Sequence, residues 1–346
     1  MLIVPKETIL EGLKSFGLAF LLSALLSVPV MALLRALKAK QSIHSHAPEG
    51  HKAKEGTPTM GGLIILAGLL PALVINALSV GSGVYTILAL VAGFAIIGFL
   101  DDYVVPRSTP GSRGLSWGPK LLLQIGASAL APMAIGLPFH PVAWGIVMFV
   151  VIFFANAFNF ADGLDSLAGS LGLVLCLTIA GMVALVQPVA NLGPIMACAG
   201  GLVAFLFLNA PPAKVFMGDV GSLAVGSLLG LMVCAPVRDL LVRLADPVQG
   251  AAEDIKVIVA PEAMILPLLV LSIVMIAELV PVPLQVAYYK ATKGKRLFPM
   301  TPIHHAFEKK GWPESRVTWT FLWVQVLLAL GALAWTISML PVVSIS

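Results

Sequence analysis

Residues 142–187 read VAWGIVMFVVIFFANAFNFADGLDSLAGSLGLVLCLTIAGMVALVQ, two long apolar runs joined by a short polar turn. The only charged residues in the stretch are Asp162 and Asp165. Each run approaches the roughly 20 residues that a helix needs to cross the hydrocarbon core of a bilayer. The stretch therefore predicts two membrane helices meeting at one face of the membrane, with the carboxylates at that face.

The same reading extends along the chain. Of 346 residues, 59% are hydrophobic and only 11% are charged, whereas a soluble globular chain has about a quarter charged. That composition argues against a water-soluble enzyme. Apolar runs at 16–34, 60–79, 84–100, 121–137, 142–160, 167–187, 191–208, 220–236, 263–287 and 318–341 predict an all-α integral membrane protein of about ten transmembrane helices. One polytopic domain, 1–346, uses the whole chain. The first run is too long for a signal peptide and no small-residue cleavage site precedes the basic segment after it, so it is expected to stay as a helix.

Ten spans put both termini on one side. Segments 35–58, 101–120, 156–166, 209–219 and 288–317 hold 16 of the 21 Lys and Arg residues; Lys6, Lys14, Arg238, Arg243 and Lys256 lie on the other face. Basic loops stay cytoplasmic, so both termini are expected to be extracytoplasmic, with 237–262 as a solvated, amphipathic extracytoplasmic loop. The net charge of +4 is thereby a topology signal, and no nucleic-acid partner is expected. The 32 glycines and 25 prolines show no repeating period. Cys176, Cys198 and Cys234 sit inside apolar runs and read as small core residues.

The acidic residues sort with the basic ones. Asp101 and Asp102 end the third run, Asp162 and Asp165 end the fifth, and Asp219 opens the eighth, so five aspartates converge at one membrane level. Ions near hydrocarbon are costly to keep, which makes such residues candidates for function. Asn156, Asn159, Asp162 and Asp165 recur every third residue and form a polar stripe along a helix. A ligand or metal along that stripe and a polar seam between helices are both open readings.

In NAPPAKVFMGDVGSL, Gly218, Asp219, Gly221 and Ser222 make a small-residue turn into a helix N-terminus. Its amides could approach a phosphate, and Asp219 could hold Mg²⁺, a hard cation suited to carboxylates; a plain N-cap is the alternative. The first cytoplasmic segment ends HKAKEGTPTMGG, bringing Lys52, Lys54, Thr57 and Thr59 to the mouth of the second run. The last reads KATKGKRLFPMTPIHHAFEKKGW, with His304 and His305 among lysines. No cysteine or third ligand lies near for zinc, so phosphate binding or proton transfer fits that pair better, with a lipid-headgroup patch as the alternative.

These five strings, in this order over about residues 35–312 and with GFLDDY as the second, resemble the phospho-N-acetylmuramoyl-pentapeptide transferase family. The resemblance implies transfer of phospho-MurNAc-pentapeptide from UDP-MurNAc-pentapeptide to undecaprenyl phosphate, giving lipid I and UMP, with Mg²⁺ as cofactor. It implies a bacterial inner-membrane enzyme of peptidoglycan biosynthesis, embedded in the lipid bilayer as a homodimer, with its active site at the cytoplasmic face. By the family pattern Asp219, Asp101 and Asp102 look like the metal and catalytic carboxylates, joined by His304 and His305. Lys54, Thr59, Lys120, Asn156, Asn159, Asp162, Asp165, Asn209, Phe216, Ser222 and Gln285 are expected to bind substrate. Direct attack by the lipid phosphate and a phospho-aspartate intermediate both remain open.

Two positions depart from the pattern. Family members usually have Lys where this chain has Val105, and a third His where it has Ala306. Losing a cation should weaken phosphate stabilisation unless Arg107 or Arg113 moves in. Within the superfamily, a UDP-GlcNAc transferase acting on the same lipid is the nearest rival. A prenyltransferase would need Asp-x-x-x-Asp motifs that are lacking. An ion-coupled transporter would place acids near mid-span, where Glu278 is the one clear candidate.

Overall fold

The computed structural model describes residues 4–37, 56–109, 111–112, 114–187, 191–246 and 259–340. The described residues form helices and no β-strand, and eight continuous helical stretches, among them Gly83–Ser108, Asp219–Ala245 and Ile273–Ala291, are long and apolar enough to cross a membrane. The protein is a multi-pass, all-helical membrane protein. Its helices are α1 (Lys6–Ala36), α2 (Gly62–Val80), α3 (Ser82–Phe99), α4 (Val105–Ser108), α5 (Trp117–Ser128), α6 (Leu130–Ala134), α7 (Pro141–Ala161) and α8 (Leu167–Val186). There follow α9 (Gly193–Asn209), α10 (Asp219–Cys234), α11 (Arg238–Ala245), α12 (Ile265–Leu271), α13 (Ile273–Leu279), α14 (Pro281–Ala291), α15 (Ile303–Lys309) and α16 (Glu314–Ser338).

Each of the ten apolar runs is helical, but two are not full-length spans. Run 191–208 becomes α9, 17 residues, or about 25 Å at the helical rise of ~1.5 Å per residue. Run 121–137 divides into α5 and α6 at Ala129. Pro132 explains the break, since its ring clashes with the carbonyl four residues back, that of Ser128. Run 263–287 extends to Ala291 and breaks twice. Ser272, between α12 and α13, donates its hydroxyl to Leu268 O at 2.7 Å, a back-bond that bends helices. Pro281 opens α14 and cannot donate to the preceding turn.

The expected loop 237–262 begins instead as a continuation of α10. After a 3₁₀ turn at Ala235–Val237, α11 buries Leu241 and Val242. Arg238 Nε donates to Ile135 O at 2.8 Å and Arg243 pairs with Glu262 at 2.9 Å. Residues 247–258 of that loop lie outside the described residues.

The centre of the molecule is α10, in which every residue from Val220 to Cys234 is buried. A helix apolar on all sides has to be surrounded, and DVGSLAVGSLLGLMVC supplies small residues where its neighbours come closest. Gly226 and Gly230, one turn apart, face α7; a Cβ at either would stand 2.7 Å from the Cα of Ala155 or Val151. Gly221 meets Gly62 backbone to backbone, and Gly98 of α3 lies on the backbone of Asp219. Lipid tails are as apolar as leucine, so close packing of small residues, rather than escape from water, holds such helices together. Around this axis α1 packs on α9 and α2, and α16 packs on α8 and α12.

Gly226→Leu should therefore overpack the α7–α10 contact, destabilising by about 1–3 kcal/mol or more. Cys198→Ala, a small change at a buried position of α9, should shift thermal unfolding in detergent little; equal losses for the two variants would refute the close-packing account.

Candidate active site

The end of α3 widens into a π turn, Leu100–Val104, which carries Asp101 and Asp102. Single π turns within helices recur at functional sites. The two carboxylates leave it in different directions. Asp101 Oδ1 accepts from Leu115 N at 2.8 Å, while Asp102 Oδ2 accepts from Val220 N at 3.1 Å at the start of α10. Asp219 is the first residue of α10. Oxygen atoms of these three side chains lie within 4.8 Å of one another, an arrangement that could hold a metal ion.

Neighbours offset the repulsion within this cluster. Lys120 Nζ of α5 bonds Asp219 Oδ2 and stands 3.5 Å from Asp101 Oδ2. Burial alone would lower the pKa of Lys120, but Asp219 and Asp101 outweigh it and raise the value, so the ammonium is retained. Asn159 Nδ2 of α7 donates to Asp219 Oδ1 at 2.7 Å and to Ser222 Oγ at 2.8 Å. Asn156 pairs instead with buried Gln124, its Nδ2 donating to Gln124 Oε1 at 2.7 Å. Three carboxylates against one ammonium leave a net negative, all-oxygen site, the donor set that hard divalent cations prefer.

Four amides of the glycine turn before α10 are committed within the protein. Gly218 N donates to Asp162 Oδ2 at 3.0 Å, Val220 N to Asp102, and the amides of Gly221 and Ser222 to Gly218 O at 3.1 and 3.0 Å. The first two orient aspartates. Burial pushes the Asp162 carboxyl well above the usual carboxylate range, opposed by the Gly218 N–H and reinforced by Asp219 and Asp102.

The TPTMGG segment joins the same turn through its backbone. Gly61 N and Gly62 N donate to Phe216 O and Met217 O at 2.7 and 2.9 Å, and Phe216 N donates to Pro58 O at 2.9 Å. Met60, fully buried with φ of 68°, redirects the chain into α2. Gly218, φ 72°, has no room for a side chain: a Cβ would lie 2.6 Å from Asp102 Oδ2 and 2.9 Å from Thr59 Oγ1. Thr59 thus stands beside the turn that leads into Asp219, and Phe216, in the same turn, is half-buried.

Asp165 and Asn209 act inside the protein. Asp165 Oδ2 accepts from Ala213 N at 3.0 Å, its N–H donates to Glu314 Oε1 at 2.6 Å, and its carbonyl accepts from Thr318 Oγ1 at 3.3 Å. Buried Asn209 accepts from Ser166 N at 2.8 Å and donates to Val215 O at 2.9 Å. The His304 and His305 rings lie with centroids 4.1 Å apart, tilted by 58°, against Gly163. His304 Nδ1 lies 2.8 Å from Glu278 Oε2, and His305 Nδ1 lies 2.6 Å from Glu308 Oε2. Gln285 is not drawn into the cluster by its hydrogen bonds; its Oε1 accepts from Leu297 N and Phe298 N at 3.0 and 2.8 Å and ties down that loop. Lys54 lies outside the described residues.

A family model described as "Glycosyl transferase family 4" matches residues 84–236, from α3 to the end of α10. A second, "Phospho-N-acetylmuramoyl-pentapeptide-transferase signature 1", matches residues 54–66, the segment that pairs with Phe216 and Met217. Curated proteins named phospho-N-acetylmuramoyl-pentapeptide-transferase are similar over nearly their whole length. That of Moorella thermoacetica is 34% identical, covering 94% of this chain and 98% of its own. Those of Desulforudis audaxviator and Synechococcus elongatus are 36% and 35% identical, covering 93% and 91% of this chain and 97% and 85% of theirs. The chain belongs to the phospho-N-acetylmuramoyl-pentapeptide-transferase family.

As a member of this transferase family, the chain departs from pattern at Val105 and Ala306, and the structure bears on both. Arg107 does not fill the missing cation's place: its guanidinium lies 3.7 Å from the Tyr103 ring centroid and Nη2 donates to Leu37 O at 2.6 Å. Arg113 lies outside the described residues. Among the described residues, Lys120 is the cation paired with the cluster. Ala306 is buried in α15.

Sequence reasoning missed Gln124, Glu308 and Glu314 as partners of site residues, and weighed Glu278 only as an ion-coupling acid. Glu314 follows a proline at a helix start, which marks a helix N-terminus but not its partner across the bundle. Lys120→Ala should lower turnover by about 10²-fold or more, the scale for losing a group that stabilises developing charge. Arg107→Ala should stay close to wild type. Equal losses in a steady-state assay would show that both cations serve the site.

Proposed function

We propose that this protein transfers the phospho-MurNAc-pentapeptide group of UDP-MurNAc-pentapeptide to undecaprenyl phosphate, giving lipid I and UMP in peptidoglycan biosynthesis. One observation carries the reading: in a chain 34–36% identical to transferases of that name, three carboxylates meet within 4.8 Å beside Lys120 and Asn159. In the reaction an oxygen of the lipid phosphate bonds to the sugar-bearing phosphorus of the donor, and the bond from that phosphorus to UMP breaks. Bringing two phosphates together demands charge neutralisation and alignment more than covalent machinery.

Asp219, Asp101 and Asp102 are the residues that would hold Mg²⁺, which supplies neutralisation of the diphosphate. Lys120 adds a positive charge at the same place. Asp102, oriented by Val220 N–H, is placed to align or deprotonate the lipid phosphate. Asn159 and Ser222 hold Asp219 from the side of α7. Thr59, Asp162, Phe216 and His305 bound the nucleotide's site, Lys54 is expected by resemblance to bind the nucleotide, and an aromatic ring beside a glycine turn can stack on uracil. Asn156, Asp165, Asn209 and Gln285 support this site through the helices and loops they connect.

The protein acts in the bacterial inner membrane with ten helical segments, both termini outside and the site at the cytoplasmic face. The 16-to-5 distribution of Lys and Arg supports that orientation. A homodimer is expected by resemblance.

Detergent-purified protein given undecaprenyl phosphate and Mg²⁺ should release UMP from UDP-MurNAc-pentapeptide and not from UDP-GlcNAc, and EDTA should stop it. Asp219→Ala should abolish release and Asp102→Asn should reduce it strongly. Release from UDP-GlcNAc alone would move the protein to the rival sugar transferase, and full activity of Asp219→Ala would refute the metal assignment.

A further inference from the structure

Glu278 is the only charged residue in the apolar stretch 263–287, and the transfer chemistry above makes no use of it. It lies in the last turn of α13, just before the break at Pro281. Glu278 and His304 are both completely buried, with Oε2 and Nδ1 2.8 Å apart. Glu278 Oε1 and His304 Nε2 are buried without a protein partner. Burying a carboxylate is expensive unless a partner compensates it, so a lone acid in an apolar helix signals a specific use. Its only hydrogen-bond partner among the described residues is a histidine of the site.

The rest of the imidazole's surroundings fix where its other nitrogen points. The ring contacts that of His305 at a tilt of 58° and lies against Gly163, where an added Cβ would overlap Nε2. Gly163 adjoins Asp162, whose carboxylate holds the Gly218 amide next to Asp219. A chain of contacts thus runs from Glu278 through His304 to the Asp162–Gly163 turn and on to the acidic cluster. A carboxylate on one ring nitrogen determines the tautomer and orientation of a histidine, and so the state of the other nitrogen.

We propose that Glu278 is a positioning residue that accepts from His304 Nδ1–H and holds Nε2 against the Asp162–Gly163 turn, which borders the nucleotide's site. The proposal rests on the transferase reading for its kinetic consequences but not for its structural one. In this account the acid within the α12–α14 segment serves the imidazole rather than an ion-coupling step. The missing side chain of Gly163 is part of the same device, since it leaves room for the ring.

The test is a double-mutant cycle with a spectroscopic readout on the full-length protein. Glu278→Leu and His304→Asn should each lower kcat by about 10²-fold or more, with the donor KM changed less than about threefold. The double variant should be no slower than His304→Asn alone, because the first residue acts through the second. Glu278→Gln keeps an oxygen that can accept from Nδ1–H and should restore most of the rate. Multiplying losses in the double variant would overturn the proposal. In ¹⁵N-histidine NMR, the signal lost in His304→Asn should show a protonated Nδ1 in the wild type and change in Glu278→Leu. An unchanged signal would overturn the proposal even if the protein proved to transfer another sugar. Gly163→Ala leaves Glu278 intact and should displace the ring; normal turnover in that variant would also overturn it, which keeps the test decisive should Glu278→Leu fail to fold.

Discussion

Three carboxylates within 4.8 Å of one another at the end of a membrane helix repel each other and lose solvation, and much of the structure is arranged around that cost. Each receives a donor from a different part of the chain. Lys120 comes from α5, Asn159 from α7, the Val220 amide from α10 and the Leu115 amide from the connection between α4 and α5. Holding these donors in register requires that α3, α5, α7 and α10 cannot slide. The glycine contacts of α10 with α2, α3 and α7 supply that rigidity, because close-packed backbones have few alternative arrangements. The central helix is thus both the core of the fold and the base on which Asp219 stands.

The same arrangement commits amides of the glycine turn to aspartates. Its amides already bond Asp102 and Asp162, so the acid geometry is set in advance of any ligand. Preorganised charge of this kind is worth more than charge that must be reoriented during reaction. Positive charge at the cluster comes, among the described residues, from Lys120.

The broken helix at 265–291 has a complementary part. Breaks at Ser272 and Pro281 let the segment bend so that the acid meets His304, and Gln285 on the outer piece binds the loop at Leu297 and Phe298. Two charged or polar groups that would each be costly alone thus tie the membrane segment to α15.

Hydrophobicity is a local property of the chain, read residue by residue through transfer free energy. For that reason the apolar runs, their helical nature, the common level of the five aspartates and the motif strings of the transferase family were all legible from sequence alone. The breaks at Ala129 and Ser272 were less so, since proline and serine only bias a helix and packing decides whether it bends. Which donor meets which acid was not legible at all. Lys120 and Asp219 are separated by 99 residues, Asp165 and Glu314 by 149, and no local pattern encodes such a pairing. The sequence determined a helical membrane protein with acids gathered at one face; only tertiary packing decided that Asp101, Asp102 and Asp219 share one site, that Arg107 turns away from it, and that Glu278 serves His304, because these depend on distances between helices rather than on preferences within them.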